Sequence, residues 1–145
     1  MFSKNVKISR VMNSQAAGTD DTIESSVVDM QNFESVTFIA AFGEITTSAV
    51  TKIVAQQGDL SNGSDMSDLE GSSVSIDDDE DNQLLVLEIK KPQKRYVQVN
   101  VIRATANAVI DGVIAIQDGA SKKPITQPAT VADTEAHASP DEGTA

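Results

Sequence analysis

The sequence predicts an all-β protein, a two-sheet β-sandwich and specifically a jelly roll of about eight strands, with an extended N-terminal arm and C-terminal tail. Three observations predict it. Short apolar segments alternate with a period of two, as where Val97, Val99 and Val101 interleave with Tyr96, Gln98 and Asn100. Polar connections rich in Ser, Asn, Asp and Gly separate these segments at fairly regular spacing. The apolar stock is Val, Ile, Leu and Ala, with aromatics at 3% and no Trp, which favours strands. At 145 residues the chain is long enough for one buried core.

In chain order, Lys4 to Arg10 places Lys4, Val6, Ile8 and Arg10 on one side if extended, as a short basic strand or equally an arm. Asn13 to Asp21 reads as a loop, and Ile23 to Met30 as a second strand centred on Val27 and Val28. Ser35 to Phe42 puts Val36, Phe38, Ala40 and Phe42 on one face, and Gly43 closes it. Ala49 to Gln56 is a strand or, less favoured, a helix. Asp59 to Asp81 holds nine acidic residues and no basic one, a long surface loop with a small strand at Val74-Ser75-Ile76. Leu84 to Ile89 is a continuous apolar run of the kind buried on both faces, and with Arg95 to Arg103 it suggests a hairpin turned at Pro92. Val109 to Ile116 forms the last strand, with Ile110, Ile114 and Ile116 on one face around Gly112. Residues 1–22 are thus an N-terminal strand or arm and loop, 23–120 the sandwich domain, and 121–145 an extended acidic tail too poor in apolar residues to fold alone.

Charge and composition narrow the function. Eleven Lys and Arg against twenty-two Asp and Glu give a net charge of −11, which disfavours nucleic acid and anionic membrane surfaces as partners. The absence of Cys removes disulfides and thiolate chemistry, and the lone His137 cannot build a histidine metal cluster. No apolar run reaches the ~20 residues of a membrane-spanning helix, and the first ten residues lack the apolar core of a signal peptide, so the chain reads as soluble and made in a cytoplasm. The run Asp77-Asp78-Asp79-Glu80-Asp81 is a solvated loop or a hard-cation site, without the Gly and Glu spacing of an EF-hand. Lys90, Lys91, Lys94, Arg95 and Arg103 form a basic island, either a solvated turn or a contact for an acidic surface. No nucleophile elbow, Walker or dinucleotide pattern occurs, and the few aromatics give no platform for sugar rings. The expectation is a protein that is not an enzyme, with no catalytic residue, cofactor or metal.

Asn32-Phe33-Glu34-Ser35-Val36-Thr37-Phe38, then Ile45-Thr46, then Lys94-Arg95-Tyr96-Val97-Gln98-Val99, then Gly112-Val113-Ile114-Ala115-Ile116 form an ordered set of segments. Their order resembles the head-decoration, or cement, proteins of tailed phages, over about Val27 to Pro124. The resemblance implies a β-sandwich, often a jelly roll, on the outer surface of an icosahedral head. It implies a homotrimer that contacts several copies of the major capsid protein and stabilises the shell. The long acidic loop and acidic tail depart from that pattern. The N-terminal strand or arm supplies the expected capsid contact, through Lys4, Val6, Lys7, Ile8 and Arg10. The alternatives are a tail or baseplate adaptor or fibre module of the virion and, from another class, a carbohydrate-binding adhesive module.

Overall fold

The computed structural model describes residues 1–139 and 141–144. A four-residue helix α1 (Phe2–Asn5) precedes β1 (Lys7–Met12), β2 (Gln15–Gly18), β3 (Asp21–Glu24), β4 (Val28–Asp29), β5 (Ser35–Ile45) and β6 (Val50–Gly58). There follow β7 (Ser67–Asp68), β8 (Val74–Ile76), β9 (Leu84–Lys90), β10 (Tyr96–Thr105) and β11 (Ala108–Asp118). No helix or strand occurs among the described residues after β11.

The strands form two antiparallel sheets packed face to face. The first runs β1-β11-β5-β9, with β2 continuing β1 along the same edge of β11. The second runs β3-β10-β6-β7, with β4 extending β3 along β10 and β8 sharing the edge of β6 with β7. Merging the pieces that share an edge leaves eight strands. The first then pairs with the eighth, the second with the seventh, the third with the sixth and the fourth with the fifth. That is one long hairpin rolled up on itself, and the added pairings β11 to β5 and β10 to β6 close the two sheets. The protein is a jelly roll.

Alternation builds the core. Val36, Phe38, Ala40 and Phe42 of β5, with Leu85 and Leu87 of β9 and Val113 and Ala115 of β11, point inward from the first sheet. Ile53 and Ala55 of β6, Ile76 of β8, and Val97, Val99 and Val101 of β10 meet them from the second. Each such side chain contributes roughly 1.5–3 kcal/mol on full burial if Val-sized or larger.

The structure departs from the sequence reading in places where alternation was ambiguous. Of the strand or arm read for the N-terminal segment the structure shows the strand, β1; together with β2, in the segment read as a loop, it pairs with β11 and belongs to the sandwich. The strand expected over Ile23 to Met30 is split into β3 and β4, whereas Ala49 to Gln56 is the strand that the sequence favoured over a helix. Leu84 to Ile89 is not buried on both faces. It is the edge strand β9, paired only with β5, with Leu84 and Val86 outward at 58% and 56% exposure. Nor do β9 and β10 form a hairpin, because the 91–95 turn crosses from one sheet to the other. In β11 the register shifts between Ile110 and Gly112, so Ile110 is buried while Ile114 and Ile116 face outward. Gly112 permits this: its φ is +144°, and a Cβ there would lie 3.0 Å from the Met12 carbonyl oxygen.

One buried charge closes the end of the sandwich. The Arg103 guanidinium lies inside the fold and donates to both carboxylate oxygens of Asp21 and to the carbonyls of Ala16 and Ala108. A Cβ on Gly18 would sit 2.5 Å from its Nη2. Asp21→Ala leaves the buried Nε and Nη2 donors without their carboxylate and is expected to lower stability by about 1–3 kcal/mol, read by urea unfolding at neutral pH. Hydrogen bonding to Arg103 also holds the Asp21 carboxyl below the usual carboxylate range. Because the folded-state value is the lower one, this contribution is present above about pH 4 and is lost as pH falls through the lowered value. The acid limb of a stability–pH curve should therefore flatten in Asp21→Asn.

Candidate functional site: the outer face of the first sheet

The outward positions of the first sheet form an apolar surface across four strands. Cross-strand register places Ile114 beside Ile39 and Ile39 beside Val86, with Arg10 at the end of that row. The neighbouring rows are Ile8–Ile116–Thr37–Glu88 and Gly112–Ala41–Leu84. Ile114 is 42% exposed. Charged groups stand at the margins: Arg10 and Asp111 toward one end, Glu88, Lys90 and Asp118 toward the other. A groove of about 530 Å³ opens on this face, floored by Ile39, Ala41, Gly112 and Ile114 and flanked by Ile8 and Leu84.

The second sheet treats its outer face differently. Gln98 and Asn100 point outward from β10 yet are buried, and Gln98 donates to Gln56 at 2.8 Å. The loop after β6 folds back over Gln98: a Cβ on Gly63 would lie 3.1 Å from Val27 and 3.2 Å from the Gln98 amide oxygen. The polar face is covered and the apolar face is open, the reverse of what water alone favours.

The C-terminal segment straps the β1 edge of the open face. The Gln127 amide oxygen accepts from the Ile8 N–H at 2.8 Å, while its amide nitrogen donates to the carbonyls of Ser3 and Val6 at 2.6 and 2.7 Å. The Ile125 N–H donates to the Lys4 carbonyl, and the Thr130 hydroxyl accepts from the Arg10 N–H. Side chains here take the place of a neighbouring strand, and Thr130 and Val131 wall the groove.

Of the five residues read from sequence as partner contacts, Ile8 and Arg10 lie in this groove. Val6 is buried, Lys4 sits in α1, and Lys7 starts β1 beside Asp29, so these three stand apart from it. Sequence reasoning missed Ile39, Ala41, Leu84 and Val86. Their signal was the β-branched and aliphatic content of the outward phase of β5 and β9, where a solvated face would be polar.

The charged segments are absorbed by the fold. Lys94 pairs with Asp59 at 2.9 Å, and Arg95 with both Asp29 and Gln31. In the acidic run, Asp81 accepts from the Ile45 N–H and Asp78 from the Ser48 N–H, pinning the turn between β5 and β6. Among the described residues no group of three or more acidic or His side chains is arranged to hold a metal, and no helix is long and apolar enough to cross a membrane. Neither a model of a known protein family nor a curated protein matches this chain.

Gln127→Ala should lower stability by about 1 kcal/mol and speed amide exchange at Ile8 without affecting β9, as read by hydrogen–deuterium exchange.

Proposed function

We propose that this protein is a structural, non-enzymatic component of a virus particle that docks the outer face of its first sheet onto the major capsid protein on the outside of the head. The observation that carries the reading is the apolar row Ile114–Ile39–Val86, with Leu84 beside it, which runs unbroken across three strands of one sheet face. Such a face suits contact with another protein surface, and repetition over a lattice lets modest contacts hold a shell together. The jelly-roll topology and the ordered segments from Asn32 to Ile116 that resemble phage decoration proteins support the same reading. The net charge of −11 keeps free copies soluble before docking.

The contact moves from the N-terminal segment as a whole to a sheet face that includes only its Ile8 and Arg10. Deleting residues 1–10 would remove an integral strand, so point substitutions on the face are the proper test. Ile114→Asp places a charge in the centre of the face at a position already exposed to water. It should leave the melting temperature within a few degrees of the parent and abolish decoration of heads prepared without the protein, as counted by imaging of intact particles. Normal decoration by Ile114→Asp would remove the face from the contact. Location in the tail alone would move the protein to an adaptor role.

A further inference from the structure

The two edges of the first sheet are finished differently. The β1 edge is strapped by Gln127 and Thr130. The β9 edge has no such strap: among the described residues, Leu84 to Lys90 make no hydrogen bond beyond their ladder with β5, and only at Ile89 and Lys90 does the 68–70 segment of the second sheet border a shared cleft. That ladder runs from Ala41–Leu84 to Ser35–Lys90 without a register shift, and no Pro or bulge interrupts the strand. An unbroken edge with outward Leu84 and Val86 is a template for another strand.

Charge is also divided along the strand direction. Eight of the eleven Lys and Arg residues lie at the end of the sandwich where β9 finishes, interspersed there with Asp29, Glu34, Asp59, Glu88 and Asp118, so that end is mixed in charge. At the opposite end, where β9 begins, Glu44 and Asp77 to Asp81 have no cationic partner among the described residues. Strand β9 therefore runs from an acidic flank to a mixed one, in which Lys90, Lys94 and Arg95 are paired and Lys91 makes no ion pair among the described residues.

We infer that β9 is a self-association edge, at which two copies pair their β9 strands antiparallel about a two-fold axis and join their first sheets into one. Antiparallel pairing sets the acidic flank of each copy beside Lys91 of the other, so part of the −11 repulsion is opposed where the copies touch. The register centred on Val86 keeps both faces consistent. Val86 meets Val86 of the second copy, Leu84 meets Glu88, the inward Leu85 meets the inward Leu87, and Lys91 falls opposite Asp81. The contact is isologous and closes at two copies, whereas the trimer implied by the family resemblance requires a different surface. It also makes the two apolar outer faces continuous, although the pairing stands whatever those faces bind.

Sedimentation equilibrium of the full chain at low salt tests this. The parent should show a dimer that weakens as salt rises, and Val86→Lys, at an exposed position, should weaken it by about tenfold or more while leaving the thermal melt intact. Lys91→Glu sets like charges opposite Asp81 and should weaken self-association further at low salt than at high salt. Deuterium exchange should show β9 amides gaining protection with concentration. A monomer or a trimer at all concentrations, or a dimer indifferent to Val86→Lys, would overturn the assignment.

Discussion

The structure depends on the interleaving of two inner faces, those of β5 and β10, each the long central strand of its sheet. Val36, Phe38, Ala40 and Phe42 on one side and Val97, Val99 and Val101 on the other are all fully buried or nearly so. Period-two alternation leaves each of these strands one committed face, and everything else is arranged around keeping the two together. The flanking strands β9, β11 and β6 inherit their orientation from pairing with them. The bulge at Gly112 shows how strict the demand is, since β11 changes phase there and still places Val113 and Ala115 in the core.

A core sealed on its inner faces leaves outer faces and edges to be settled separately, and the protein settles them unequally. The polar outer face of the second sheet is roofed by the loop after β6, while the apolar outer face of the first lies open. On the edges, Gln127 supplies both donor and acceptor to β1, but β9 receives nothing equivalent. Open apolar surface and open edge occur on the same sheet, which concentrates contact-capable surface there.

Electrostatics follow the same geometry. In sequence the acidic run at Asp77 to Asp81 and the basic island from Lys90 flank one apolar segment, and the extended strand between them separates their charges along the sandwich. Several of these charges are spent internally: Asp81 and Asp78 hold the turn at Ile45 and Ser48, and Asp29 and Asp59 neutralise Arg95 and Lys94. The remainder leaves the end where β9 begins acidic and the end where it finishes mixed in charge.

The sequence by itself determined the fold class, the main strands and much of the core, because alternation in β5 and β10 is a local property that any neighbour must respect. It also made Ile8 and Arg10 legible as outward neighbours on one strand. What only the tertiary structure decided is which strand lies beside which. An apolar run such as Leu84 to Ile89 reads the same whether it is central or at an edge, since burial on its second face depends on a partner far away in the chain. The phase change at Gly112 was hidden for a related reason: a bulge is a mismatch between two strands, and one strand alone does not display it. The strap at Gln127 and the covering of Gln98 likewise arise from contacts between distant segments, so the difference between the covered face and the open one exists only once the chain has rolled up.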